Sequence, residues 1–372
     1  MALAVTVCAV VSAGALATGP RCVSGQTLPV CAGALVNGLL AGDQCRSDLP
    51  NQPSGPQAQT STADRLQRLI EDVPCPSSGR VAYDVSDDHG DSMSVLDPIP
   101  NPQGGYLGVY HTAFRPPGDP FMDYRISLAR SSDLIHWTRA EVLDPSGASM
   151  PTLRAIAGSP GYLLAYEKSH PGGDVVRLRY YPSLAALLAG RYSAQRDLPS
   201  NFSPYNDGTP TILWVQWNGS LRRSVIELGF HYETARKGWR GPDREAIGTL
   251  RGFRNWTART DPSTDAALSH HGFVGSHGDW RQFDFEGSRW RVYEAQTSYN
   301  DFGTWRVVLE NPSSGQMYSL ALRMGAQTVA SSFANPVARV EPGPGGQGPV
   351  LVVTMYLFSA PVQGELVYYQ PL

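Results

Sequence analysis

Asp207-Gly208-Thr209-Pro210-Thr211-Ile212 opens a short apolar run, and four other stretches of the 372-residue chain open alike. They are Asp91-Ser92-Met93-Ser94-Val95-Leu96, Ser149-Met150-Pro151-Thr152-Leu153-Arg154, Asp279-Trp280-Arg281-Gln282-Phe283-Asp284 and Asn335-Pro336-Val337-Ala338-Arg339-Val340. Their starts lie 58, 58, 72 and 56 residues apart, and self-similarity at such a period is the mark of a repeat architecture. Behind each start a turn leads to a second apolar run, at residues 106–110, 162–166, 224–226, 290–293 and 350–353. Each unit reads as an antiparallel hairpin, and a period of about 60 residues leaves room for two more strands in a four-stranded blade. Five blades then fill residues 80–372, which predicts an all-β, five-bladed β-propeller with a short disulfide-containing N-terminal extension. A closed ring leaves no sheet edge exposed, so residues 365–369 are expected to pair with residues 81–83. A β-sandwich with irregular loops does not explain the recurring start.

Composition agrees with many short strands joined by tight turns. Gly (38), Pro (30), Tyr (17) and Trp (8) are plentiful, and charged residues make up 17%. A net charge of −3 carries no basic footprint for nucleic acid or an anionic membrane. Residues 1–17 form an apolar run ending in small residues, which reads as a signal peptide without the usual positive start. It is too short to span a bilayer, which needs about 20 apolar residues. The mature chain is expected to be secreted, extracellular and monomeric, with no nucleic-acid or membrane partner.

Residues 18–79 read as an extension that holds the cysteines, a linker and a short helix. Cys22, Cys31, Cys45 and Cys75 match no zinc spacing, so two disulfides in an oxidising compartment are expected. In the predicted helix, residues 63–72, Leu66, Leu69 and Ile70 share one stripe and Pro74 ends it. Asn201, Asn218 and Asn255 each begin an N-x-S/T acceptor for N-glycans.

In a propeller the first strand of each blade lines the central channel, so the aligned starts should meet at one mouth. Asp91, Asp207 and Asp279 would converge there with Ser149 and Asn335. A hairpin returns its second strand to the same level, which adds His111, Glu167, Glu227 and Glu294. His89 and His277 stand in matching His-Gly-Asp triplets, and His271 is near in sequence. No ligand spacing specifies a metal, and no cofactor is expected.

Ser131-Ser132-Asp133-Leu134-Ile135-His136-Trp137 resembles the S-x-D-L-x-H-W pattern of five-bladed glycosidases in glycoside hydrolase families 43, 62 and 32. Asn206-Asp207-Gly208-Thr209-Pro210 is similar to the E-G-P context of the family 43 general acid, with Asp in place of Glu. The resemblance implies a carbohydrate substrate, inversion at the anomeric carbon and a carboxylate acid/base pair. It makes Asp207 the acid and Asp91 the base, with Asp279 and Glu294 as tuners of acidity or sugar ligands. Ser149 offers no match to the family's second-blade Asp, for which Glu167 is the substitute. His89, His111, Arg154, Glu167, His271, His277, Arg281 and Asn335 are the expected substrate-binding residues. Two other readings stay open. A lyase would use His271 or His277 as base, with Arg154 or Arg281 neutralising a uronate. A non-catalytic lectin would use Trp and Tyr faces as sugar platforms.

Overall fold

The structure, a computed structural model, describes residues 61–236, 239–325, 327–358 and 363–372. The leader, most of the linker and Cys22, Cys31 and Cys45 lie outside the described residues. Helix α1 (Thr62–Glu71) comes first, followed by β1 (Val81–Tyr83). The first blade is β2 (Ser94–Pro100), β3 (Tyr106–Phe114), β4 (Asp123–Ser131) and β5 (Thr138–Asp144). The second is β6 (Ala148–Ala155), β7 (Tyr162–Lys168), β8 (Val175–Tyr181) and β9 (Ala194–Leu198), with helix α2 (Leu184–Leu188) before its last strand. The third is β10 (Asp207–Gln216), β11 (Val225–Arg236), β12 (Trp239–Arg251) and β13 (Asn255–Thr260). After helix α3 (Pro262–His270), the fourth is β14 (His277–Phe285), β15 (Ser288–Gln296), β16 (Trp305–Asn311) and β17 (Gln316–Ser319).

A small hairpin, β18 (Leu322–Met324) with β19 (Gln327–Ala330), precedes the fifth blade. That blade joins β20 (Phe333–Pro342), β21 (Pro349–Leu357) and β22 (Gly364–Pro371) to β1. Val81 pairs with Tyr368, Ala82 with Val367 and Tyr83 with Leu366, so the two ends of the propeller close the ring as expected.

Side-chain alternation builds the core. Successive residues of a strand face opposite sides of its sheet, and here both sides are buried. On β21, Leu351 and Val353 enter the cluster shared with the fourth blade, while Val350 and Val352 enter the one shared with the first. On β7, Leu164 and Tyr166 face the first blade, and Leu163 and Ala165 face the third. Each hydrophobic cluster among the described residues thus fills one gap between neighbouring blades. Helix α1 starts from the Ser61 cap and lays Leu66 and Ile70 into the gap between the fourth and fifth blades. Ala321 N–H and Arg323 then hold Glu71 at its end.

Every innermost strand carries a bulge near its start. Pairing jumps from Ser94↔His111 to Asp97↔Val109, from Ser149↔Glu167 to Thr152↔Ala165 and from Gly208↔His231 to Thr211↔Gly229. The same step separates His277↔Ala295 from Trp280↔Tyr293 and Ala334↔Tyr356 from Val337↔Thr354. The equivalent residues are therefore Val95, Met150, Thr209, Gly278 and Asn335. Val95, Met150, Thr209 and Asn335 have φ of 57°, 52°, 46° and 53°, a costly region for side chains branched at Cβ.

A bulge also turns backbone N–H groups away from the ladder, and buried N–H groups need acceptors. A neighbouring blade supplies them at three joints. Glu365 accepts from Val95 and Leu96 at 3.2 and 3.1 Å, His111 Nδ1 accepts from Met150 at 3.1 Å, and Glu294 accepts from Asn335 at 2.5 Å.

The bulges correct the expected register. Asp91 precedes Val95, Asp207 precedes Thr209, and Asp279 follows Gly278, so the aligned acids do not occupy one position. Asp and Asn recur around such turns for local hydrogen-bonding reasons, which keeps the repeat visible and blurs its phase. Glu227 is also displaced: it pairs with Trp214 towards the opposite end of a 12-residue strand, and His231 faces Gly208 instead.

Candidate functional site

A cavity of about 370 Å³ opens at the mouth formed by the starts of the innermost strands, and blades two to five line it. Glu167, Asp174, Glu233, Asp243 and Glu294 supply carboxyl groups to its wall. Trp239, Tyr299, Phe302, Trp305, Tyr356 and Phe358 supply rings. Trp239 stands at the rim with 79% of its surface exposed.

Glu167 is the penultimate residue of β7, and its carboxyl hydrogen-bonds Asp174, which immediately precedes β8. Burial and then the Asp174 charge push Glu167 well above the usual carboxylate range. Gly208 makes room for this carboxyl, because a Cβ there would lie 2.3 Å from Glu167 Oε2 and 2.8 Å from His231 Nε2.

Glu233 and Asp243 are direct partners across the β11–β12 ladder, so their side chains share one face. Glu233 accepts from Arg240 Nη1 at 3.0 Å and from Asn206 Nδ2 at 3.2 Å. Burial pushes Glu233 up to about 7; Arg240 opposes the rise, and Asp243 and Asp174 add to it. Glu294 is pushed up to about 8 by burial and the nearby Asp279, against the backbone donors Asn335 and Asp279.

Of the residues expected from sequence, Glu167, Glu294 and Asn335 line the cavity. The expected convergence of Asp91, Asp207 and Asp279 does not occur. Asp91 lies over the outer strands of the first blade, where Arg125 and Arg139 bind its carboxylate. Asp207 is held by Ser200, from N–H at 2.7 Å and Oγ at 2.6 Å, and pins the loop leading into its strand. Asp279 is fully buried in the channel and bound by Arg281, which also donates to the Trp280 carbonyl.

The remaining expected residues serve the fold or face solvent. His111 joins two blades, and burial holds its imidazole down at about 4. Arg154 donates to the carbonyls of Ile212 and Leu213 on the next blade. Both nitrogens of buried His277 are used, at 2.7 Å from Asp265 Oδ1 and 2.9 Å from the Phe273 carbonyl. His271 caps α3 and is exposed, and His89 sits on an exposed turn 3.9 Å from Asp88.

Asp174, Glu233, Asp243 and Trp239 were not expected. The hairpin argument that identifies Glu167 would have reached Glu233 and Asp243 had β11 and β12 been read at full length. Among the described residues no group of three or more His, Cys, Asp or Glu side chains is arranged to hold a metal ion.

No protein-family model matches the sequence, and no curated protein matches it. Solved structures match the fold. A BT0996 structure, solved as a complex with RGII, is 10% identical, with 84% of this chain and 96% of that one covered at a TM-score of 0.52. The endo-arabinase from Bacteroides thetaiotaomicron VPI-5482 is 11% identical, covering 78% and 97% at a TM-score of 0.47. The catalytic domain of the Coprinopsis cinerea GH62 alpha-L-arabinofuranosidase is 11% identical, covering 78% and 95% at 0.45. At these identities the likeness is one of fold, a five-bladed β-propeller.

Proposed function

We propose that the chain is a glycoside hydrolase whose reaction takes place in the cavity over blades two to five. The observation that carries this reading is the crowding of Glu167, Asp174, Glu233, Asp243 and Glu294 around one ring-walled hollow. Glycosidic cleavage needs a protonated carboxyl beside the leaving oxygen and an ionised carboxylate beside water or the anomeric carbon. Glu233, pushed up to about 7, keeps its proton at mildly acidic pH and is the proton donor. The Glu167–Asp174 pair shares a hydrogen bond, and its ionised member takes the proton from the attacking water. The donor's proton goes to the departing oxygen, the C–O bond breaks, and water oxygen bonds the anomeric carbon. Exposed Trp239 offers an apolar face to a sugar ring.

These roles replace those first given to Asp207 and Asp91, whose carboxylates are occupied by Ser200 and by two arginines. The lyase reading loses support because His277, Arg154 and Arg281 are all engaged within the fold.

Export is part of the same proposal: Asn201, Asn218 and Asn255 are exposed around the third blade. The test incubates purified protein with plant, fungal and bacterial polysaccharides and follows reducing ends and ultraviolet absorbance together. New reducing ends without absorbance, abolished by Glu233→Gln, are expected. Unsaturated products, or no cleavage of any glycan, would overturn the reading.

A further inference from the structure

The hydrolase reading leaves open which sugar the cavity receives, and its charge bears on that choice. Among the described lining residues, Arg240 and His231 are the basic side chains, against the carboxyl groups of Glu167, Asp174, Glu233, Asp243 and Glu294. Arg240 is already committed, 3.0 Å from Glu233 and over the Tyr205 ring at 5.2 Å from its centroid. Asp243 therefore stands in the wall without a lysine or arginine among the described ion pairs, its backbone N–H held by Ser276.

A second observation is independent of charge. Tyr299, Phe302, Trp305, Tyr356 and Phe358 line the same cavity, Tyr299 close enough to Glu233 and Asp243 for their charges to add to the rise that burial gives its hydroxyl, and ring faces attract cations through their quadrupoles. Carboxylates and rings lining one hollow make a seat for an ammonium group. A uronate or sulfated sugar would instead meet like charge, the kind of juxtaposition by which binding sites reject wrong partners.

Resting on the hydrolase reading for the identity of the site, we propose that the sugar bound in this cavity carries a free amino group. The ammonium is held by the Asp174 and Asp243 carboxylates beside the lining rings. N-acetylation removes the charge and adds bulk, so the acetylated sugar is the poorer ligand. Asp243 also raises the pKa values of Glu167, Glu233 and Glu294 through its charge, and a bound ammonium would relieve that repulsion.

The test measures binding of monosaccharides, so it does not depend on linkage. Glucosamine, galactosamine and mannosamine are titrated against their parent hexoses, N-acetyl forms and uronic acids, read by tryptophan fluorescence from Trp239 and Trp305 and by calorimetry. The expected result is a preference of about tenfold or more for the hexosamines, the scale of one desolvated charge pair. The preference should shrink at high salt and in Asp243→Asn, with the variant's folding checked by circular dichroism. Equal binding of amine and hydroxyl sugars, preference for the uronic acids, or no saturable hexosamine binding would overturn the proposal. Cleavage of a neutral glycan without amine preference would sink this inference and leave the hydrolase reading intact. Hexosamine binding without cleavage of any glycan would do the reverse.

Discussion

Glu233 and Asp243 face one another across the β11–β12 ladder, two acids in a pairing that antiparallel sheets ordinarily avoid. Arg240 offsets the repulsion only partly, and Glu233 stays up at about 7. Replacing Asp243 by Asn removes a charge that raises Glu233, so the donor would lose its proton at lower pH. The alkaline limb of the kcat/KM profile should then move towards acid. Glu233→Gln should lower kcat by about 10²–10⁴-fold, the usual cost of losing general acid catalysis. An alkaline limb unmoved by Asp243→Asn would separate Asp243 from the proton donor.

Gly208→Ala tests the placement of the carboxyl pair. The new Cβ would lie 2.3 Å from Glu167 Oε2, closer than atoms tolerate, so the Glu167 carboxyl must swing away from Asp174. Activity should fall at least tenfold while the melting temperature changes little, since the neighbour that yields is the end of a side chain. Full activity would show that Glu167 need not sit there for catalysis.

How far the fold could be read in advance is clear from β21 and β22. Their continuous apolar runs bury both faces, and the closing pairs Val81↔Tyr368 and Tyr83↔Leu366 follow from the need to leave no open edge. The site was harder. An inserted bulge residue shifts every side chain after it, and hydrophobic alternation does not reveal on which residue the bulge falls. Asp91 and Asp207 stand before the bulge residues Val95 and Thr209 rather than at them, so they align with the channel mouth in sequence although their carboxylates face Arg125 and Ser200. Glu167 and Glu294 were legible because they sit on regular second strands. Glu233 and Asp243 were missed because their hairpin runs on past the length typical of the other blades.

Inside the channel, Arg339 of the fifth blade donates from Nε to Asp97 of the first at 2.8 Å, and Thr152 of the second donates to Asp97 at 2.8 Å. This junction ties three blades at one buried carboxylate. Arg339→Met should destabilise by about 3–5 kcal/mol, because it leaves Asp97 charged, buried and short of its partner. Asp97→Leu added to Arg339→Met should recover part of that loss. Urea denaturation of the four proteins gives the coupling, and strictly additive losses would contradict a shared junction.

Glu365 gives the ring a pH dependence. It is fully buried, receives the bulge N–H groups of Val95 and Leu96, and is pushed up to about 8 by burial, which outweighs those donors. Glu294 is raised likewise to about 8, and Glu341 and Asp279 to about 7. For a carboxyl raised above its unfolded value, the native state holds the proton over the window between the two values. Its contribution to stability is complete below the ordinary value of 4.5 and is lost as pH rises through about 8. His111, held down at about 4, acts in the opposite sense below its ordinary 6.5, but the raised carboxyls outnumber it. Stability should therefore fall between pH 5 and pH 8, by up to about 1.4 kcal/mol per pH unit for each proton involved, and the melting temperature should fall with it. Glu365→Gln lowers stability overall, because an amide N–H₂ must face one of the two backbone donors, yet it should also flatten the slope by about one proton. A slope unchanged in that variant would mean that Glu365 is already ionised in the folded ring.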